Sequence, residues 1–116
     1  MGPFSFSKKE RLLNRPDFVN LNRFGKRYHT NHFVVIGKRN ELGITRLGVT
    51  AGKKVGNAVR RNRIKRLVRE FFRLHKAHFP QGYDIVIIAK KDASHLDLRS
   101  VEKELGDIVS EATFSI

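Results

Sequence analysis

Residues 57–76 read NAVRRNRIKRLVREFFRLHK and combine a regular apolar spacing with a dense positive charge. On a helical wheel of about 100° per residue, Ile64 shares one face with four further apolar side chains, Leu67, Val68, Phe71 and Phe72. The opposite face is polar and mostly cationic, and its members are Asn62, Lys65, Arg66, Arg69 and Arg73. This spacing predicts a helix with one buried face and one basic face.

The charge of this stretch differs from that of an ordinary solvated helix. Ten of the 24 lysines and arginines lie between Lys53 and Lys76, against a single acid, Glu70. Solvated faces usually mix the two signs, with Glu and Lys four residues apart. Arginine offers a planar fork that takes a phosphate through two hydrogen bonds, and a helix start favours anions. The pattern therefore indicates a helix that grips a polyanion while packing on its own core.

The composition is that of a small folded domain with an anionic partner. The chain has 116 residues, 40% of them hydrophobic, a net charge of +13 and an isoelectric point near 10.8. That length suits one domain, and self-repulsion on this scale is tolerated when a partner supplies negative charge. Nucleic acid is the first candidate partner, followed by an anionic membrane surface or an acidic protein.

Several classes of protein are excluded. The absence of cysteine removes disulfide scaffolds and cysteine-based metal or nucleophilic sites. The first residues lack the apolar run of a signal peptide, and the longest apolar stretch, residues 85–89, is too short to cross a membrane. We therefore expect a cytoplasmic protein that has no membrane partner.

Local patterns upstream of the basic helix predict one helix and two strands. A proline suited to a first helical turn places the helix after Asn14 or Arg15, and Gly25 ends it. Residues 32–37 and 46–52 have the composition and alternation of strands. These two strands are expected to form an antiparallel pair.

The basic helix and the elements after it are also predicted from local signals. Asn57 is a suitable N-cap, and the helix is expected to extend to about His75. Residues 83–90 contain four consecutive β-branched side chains, which indicates a central strand buried on both faces. An apolar spacing from Asp97 to about Ala112 predicts a final helix.

The order of these elements defines the expected fold class. Helix, two strands, long helix, strand and helix predict an α/β (α+β) two-layer sandwich with a small mixed sheet and a strand–helix–strand crossover around the basic helix. Residues 1–7 are expected to form a flexible N-terminal arm, and residues 8–116 a single RNA-binding domain.

The sequence offers no set of catalytic side chains. The five histidines lack cysteines or acids at metal-ligand spacing, so no metal site is predicted on the chain. No pair of carboxylates is placed for acid–base work, and no glycine-rich nucleotide motif occurs. Phe18 and Phe33 are either core residues or rings that stack on single-stranded RNA, and the sequence leaves both readings open.

The motif RNRIKRLVR at residues 61–69, preceded by KKVGNAV at 53–59, resembles the signature of the bacterial ribonuclease P protein subunit. The resemblance extends to RLLNRPDF at 11–18, RLGVT at 46–50 and YDIVIIAK at 83–90. Order and spacing agree from about residue 8 to residue 112, which is nearly the whole chain.

This resemblance implies an accessory subunit of an RNA enzyme. The family partners a catalytic RNA, and the holoenzyme removes the 5′ leader of precursor tRNA with Mg²⁺ bound chiefly by the RNA. The implied crossover around the basic helix is left-handed. Neither a catalytic residue on the protein nor a further protein partner is required.

The resemblance also implies two sets of site residues. The RNA-facing set, to which the basic face adds Arg73, is Lys53, Lys54, Arg60, Arg61, Asn62, Arg63, Lys65, Arg66, Arg69 and Arg73. A cleft for the single-stranded leader, between the first helix and the sheet, involves Phe18, Val34, Ile36 and Thr50. Asn22 and Ile36 stand where the family often has aromatic residues, so a less aromatic cleft is expected.

Two alternatives to this reading have different requirements. A structural RNA-binding protein of the ribosomal type would share the basic face but would need no leader cleft. A sequence-specific DNA-binding protein would have to place the basic helix in a major groove, although the apolar face of that helix is used by the core.

Overall fold

The computed structural model describes residues 8–11, 15–106 and 108, so the predicted arm at residues 1–7 and the end of the predicted last helix lie outside the described residues. Within these residues the helices are α1 (Arg15–Phe24), α2 (Ala58–Leu74) and α3 (Leu98–Leu105). The strands are β1 (Lys26–His29), β2 (Phe33–Arg39), β3 (Arg46–Ala51) and β4 (Tyr83–Ala89). The predicted elements are therefore present, and β1 is an addition to them. Helix α3 is shorter than predicted, because it ends at Leu105 with Gly106 as its C-cap and does not extend to about Ala112.

The four strands form one mixed sheet in the order β1–β2–β4–β3. Strand β2 pairs antiparallel with β1 and β4, whereas β3 pairs parallel with β4. Because α2 connects these two parallel neighbours, it forms the predicted strand–helix–strand crossover. The mixed α/β sandwich and the central position of β4 are confirmed.

The predicted antiparallel pairing of residues 32–37 with 46–52 is wrong. Strand β4 lies between β2 and β3, so that Val35 and Val49 are both opposite Ile87. The physical reason is the apolar character of β4, which is buried on both faces and gains most from neighbours on both edges. The prediction rested on the two strands being consecutive in the sequence. The burial of β4 between them prevents that pairing.

Strand β1 was missed because its sequence, KRYH, has no apolar alternation. It is an edge strand in which only Tyr28 packs against the main core. Cross-strand hydrogen bonds to β2, which pair Tyr28 with Val35, stabilise it in place of side-chain burial.

One face of the sheet packs on α2 and α3. The predicted apolar stripe of α2 is confirmed, since Ile64, Val68, Phe71 and Phe72 are buried and Leu67 is partly buried against them. The sheet side of this core is formed by alternate residues of the strands, chiefly Phe33, Val35, Leu47, Ile85 and Ile87. This packing directs the polar half of α2 away from the sheet.

Helix α1 covers part of the opposite face. Leu21 of α1 forms a second, smaller core with Ile36 and Val86, and Phe18 packs at its margin. The end of α1 approaches β2 closely, because a Cβ added at Gly25 would lie 2.6 Å from Cγ2 of Ile36. Glycine at this position therefore allows the helix to descend onto the sheet.

Helix α3 is anchored to the β1–β2 turn by one carboxylate. Glu104 accepts hydrogen bonds from the hydroxyl of Thr30, from the backbone N–H of His32 at 2.7 Å and from the ring of His32 at 2.6 Å. Burial opposes ionisation of Glu104, but the hydrogen bonds from Thr30 and His32 together outweigh it and lower the pKa of Glu104. At the start of α3, Asp97 caps the N–H of Ser100.

Candidate nucleic-acid interface

The start of α2 presents two lysines on a tightly built turn. The 3₁₀ turn Lys53–Val55 buries Val55 and leaves Lys53 and Lys54 exposed. Gly56 follows with φ of 147°, and a Cβ at this residue would lie 2.8 Å from Cδ of Arg60. The positive φ favours glycine here, and the turn places the two lysines just before the helix N-terminus in the chain.

The helix itself begins as predicted. The side chain of Asn57 accepts a hydrogen bond from the backbone N–H of Arg60 at 3.0 Å, which satisfies one of the free donors of the first turn. The first N–H groups of a helix lack intrahelical partners, and here they follow the exposed lysines closely in the chain, so the region favours anions.

The outer face of α2 forms the basic surface. Arg60, Asn62, Arg63, Arg66 and Arg69 are exposed, whereas Arg61 and Lys65 are half-buried. A shallow cavity of about 380 Å³ lies on this face, and its lining residues are Asn62, Arg66, Arg69, Glu70 and Arg73. The structure thus brings four of the predicted RNA-facing residues of α2 around one cavity, Asn62, Arg66, Arg69 and Arg73.

Three of these arginines differ from the others in their surroundings. Arg73 forms an ion pair with Glu70, whose hydrogen bond raises the pKa of Arg73. Arg63 donates to the backbone oxygen of Ser94 at 2.9 Å, which ties α2 to the chain before α3. The Nε atom of Arg61 is buried without a hydrogen-bond partner in the described part of the chain.

A second candidate surface lies on the α1 side of the sheet. The pairings His29 with Val34, Val34 with Ile88, and Ile88 with Thr50 place these four residues in one line across all four strands. We call this line the cross-strand row. Phe18 of α1 stands beside it, and Val34, Ile88 and Thr50 are each half-buried.

The cross-strand row contains two residues of the predicted leader cleft, Val34 and Thr50, and a third, Phe18, lies beside it. Phe18, Val34 and Thr50 flank an accessible surface, and Ile88 and His29 complete it. Ile88 is one of the β-branched residues of β4, but its neighbours became known only from the strand order. The predicted cleft residues came from the family resemblance, and Ile88 was not among them.

Ile36 lies under the cleft and not on its surface. It is 0% exposed and belongs to the next line of the sheet, where it is paired with Arg27 and Val86 beneath α1. Its side chain therefore supports Leu21 and the position of α1. An aromatic residue at position 36 would have to displace part of this packing.

The other end of the same face is polar. Arg46 donates to both oxygens of Asp84 at 2.8 and 2.6 Å, and its third nitrogen lies 3.3 Å from a carboxylate oxygen of Asp17 on α1. The hydrogen bond to Asp84 is the main cause that raises the pKa of Arg46. The ion pairs of this cluster hold the start of α1 over the sheet. A cavity of about 550 Å³ opens above the cluster.

The cross-strand row and the basic surface are connected by strand β3. Thr50 is the last residue but one of β3, and the exposed Lys53 follows within the turn that leads to α2. Lys53 and Lys54 therefore lie just beyond the β3 end of the row in the chain. The fold thus carries two surfaces of different chemistry, one mixed and one cationic, on the two sides of the sheet, and the turn after β3 joins them in the chain.

No group of three or more His, Cys, Asp or Glu side chains that could hold a metal occurs in the described ranges. Over the same ranges, no helix has the length and apolar character needed to cross a bilayer. The fold and its surfaces define a small basic α/β protein that presents an arginine-rich helix to a polyanion.

Comparisons with known proteins give the family. A sequence model described as Ribonuclease P matches residues 6–113. The ribonuclease P protein component of Syntrophus aciditrophicus is 45% identical over 111 residues, which is 96% of this chain and 93% of that protein. The component of Desulforapulum autotrophicum is 47% identical over 108 residues, or 93% and 92% of the two chains.

Solved structures of the same family have a similar fold. The ribonuclease P protein of Staphylococcus aureus has a TM-score of 0.81 at 34% identity, covering 90% of this chain and 96% of its own. That of Thermotoga maritima has a TM-score of 0.79 at 38% identity, covering 86% and 94%. The chain belongs to the ribonuclease P protein family, and it is an accessory subunit of this endoribonuclease and a partner of ribonuclease P RNA.

Proposed function

We propose that this subunit binds ribonuclease P RNA through the basic surface of α2 and holds the 5′ leader of precursor tRNA along the cross-strand row. The observation that carries the proposal is that the chain passes directly from the cross-strand row at Thr50, through the exposed Lys53 and Lys54, into the start of α2. One protein can then contact the catalytic RNA and the substrate together.

The two surfaces supply different kinds of contact. The arginines of α2 neutralise phosphates and release counterions, so this part of the binding weakens steeply with salt. The cross-strand row offers the apolar side chains of Val34 and Ile88 beside the hydroxyl of Thr50, which suits unstacked bases of a single strand. Phe18 adds a ring at the α1 side.

The chemistry of cleavage is assigned to the RNA partner. The Mg²⁺ ions of the reaction are assigned chiefly to the RNA, as the resemblance to the family implies. The role of the protein is to give the holoenzyme a higher affinity for precursor than for mature tRNA. This differential affinity aids turnover because the product leaves more readily.

Multiple-turnover cleavage of 5′-labelled precursor tRNA at low Mg²⁺ tests the proposal. The three reactions contain the protein alone, bacterial ribonuclease P RNA alone, and both together. Only the combination is expected to cut efficiently at the mature 5′ end. Cleavage by the protein alone, or equal binding of precursor and mature tRNA by the reconstituted complex, would contradict it.

A further inference from the structure

Asn22 and Arg27 form an exposed hydrogen-bonded pair between α1 and β1. Nη2 of Arg27 donates to Oδ1 of Asn22 at 2.6 Å and to the backbone oxygen of Asn22 at 3.3 Å. Both residues are exposed, so the pair contributes little to the core. Its main effect is to hold a long cationic side chain in one position.

This position is at the edge of the proposed leader cleft. Arg27 is paired with Ile36, and His29 is paired with Val34 of the cross-strand row, so both β1 side chains lie on the α1 side of the sheet. On α1, Asn22 is four residues after Phe18 and therefore shares its face of the helix. Arg27 is thus next to the β1 end of the row.

Arg27 keeps unused hydrogen-bonding capacity. Its bonds to Asn22 involve Nη2 alone, and the described residues provide no bond to Nη1 or Nε. No ion pair links Arg27 to an acid in the described part of the chain, where Asp17 pairs with Arg46 and Glu104 bonds to Thr30 and His32. A guanidinium that is held in place but not neutralised is suited to bind a phosphate group.

The geometry points to Arg27 as a contact for a backbone phosphate of the leader, with Asn22 as the residue that positions it. This inference rests on the proposed function and adds a cationic clamp at the β1 edge, opposite Lys53 and Lys54 at the β3 edge. This contact recognises the negative charge of a phosphate group and does not depend on which base the nucleotide carries. Where an aromatic residue would stack on a base, this chain places a hydrogen-bonded arginine.

Binding of two precursor tRNAs to the reconstituted holoenzyme tests the inference. One precursor carries a long leader and the other a leader truncated next to the cleavage site. Arg27→Ala is expected to weaken binding of the long-leader precursor about tenfold, the scale of one charge-assisted hydrogen bond, and to leave the truncated one unchanged. Arg99→Ala, an exposed arginine on α3 across the sheet, is the matched control and is expected to change neither.

A methylphosphonate scan of the leader separates a phosphate contact from a structural role. One neutral linkage is expected to weaken binding to the wild-type holoenzyme and to have no effect with Arg27→Ala. Asn22→Ala is expected to give a smaller loss and to add nothing to Arg27→Ala, because it acts through the same side chain. Thermal unfolding confirms that each variant remains folded.

The outcomes distinguish the two proposals. If the wild-type holoenzyme prefers the long leader and Arg27→Ala keeps that preference with the same methylphosphonate pattern, the role of Arg27 is refuted and the leader cleft stands. If the wild-type holoenzyme binds both precursors equally, the leader cleft itself is refuted, and the role of Arg27 with it.

Discussion

Arg46 and Asp84, on the parallel neighbours β3 and β4, form a two-bond pair with nitrogen–oxygen distances of 2.8 and 2.6 Å. The same arginine reaches Asp17 of α1, and Asn40 donates to Asp84 at 2.8 Å. A single guanidinium therefore links the two strands to the helix that covers them. The position of α1 over the proposed cleft depends on this link.

Replacing Asp84 is expected to destabilise the protein. Asp84→Asn removes the charge of the main partner of the half-buried Arg46, which then keeps only Asp17, and the expected loss in free energy of unfolding is about 2 kcal/mol. Asp92→Asn, at an exposed turn, is the matched control. Urea denaturation of the two variants measures the difference, and a loss within about 0.5 kcal/mol of the control would contradict the prediction.

Removing charge from the basic surface is expected to change the salt dependence of RNA binding. For Arg66→Ala and Arg69→Ala, the slope of log affinity against log salt for ribonuclease P RNA should fall by about 1 each. Arg73→Ala should change it less, because Glu70 already offsets that charge. Titrations at several salt concentrations measure the slopes, with Arg99→Ala as the control; equal effects of all four variants would refute the distinction.

Two apolar residues of α1 are expected to behave differently. Leu21 is 1% exposed, so Leu21→Ala should cost about 2–5 kcal/mol of stability. Phe18 is only half-buried, so Phe18→Ala should cost less, about 1–2 kcal/mol, and should also reduce the preference for precursor over mature tRNA. Denaturation and tRNA binding at low temperature measure both effects. A Phe18→Ala variant that unfolds outright would show that the ring is a core residue.

The contribution of Glu104 to stability is expected to depend on pH. Because its pKa is lower in the folded protein than in the unfolded chain, ionised Glu104 stabilises the fold at neutral pH. That contribution is lost as the pH falls through the folded-state pKa. The stability difference between wild type and Glu104→Gln should therefore be largest near neutrality and shrink in acid.

Denaturation curves between neutral and acid pH measure the Glu104 contribution. Glu41→Gln, in the exposed β2–β3 loop, provides the comparison and is expected to lose little stability at any pH. A difference between wild type and Glu104→Gln that grows toward acid would reverse the predicted sign.

The sequence by itself determined the features that depend on local spacing. The apolar stripe of α2 from Ile64 to Phe72, the cap at Asn57 and the double-sided burial of β4 follow from periodicity and side-chain type within one element. The motif around the basic helix also gave the family. These properties need no knowledge of which segments become neighbours.

Only the tertiary structure decided the pairings between distant segments. The insertion of β4 between β2 and β3 and the engagement of Arg63 by Ser94 depend on residues far apart in sequence. Strand β1 and the burial of Ile36 depend likewise on their neighbours in the sheet and on α1. The physical reason is that strand order and ion pairing depend on how much apolar surface the whole sheet buries. The spacing of residues within one element carries no information about that total.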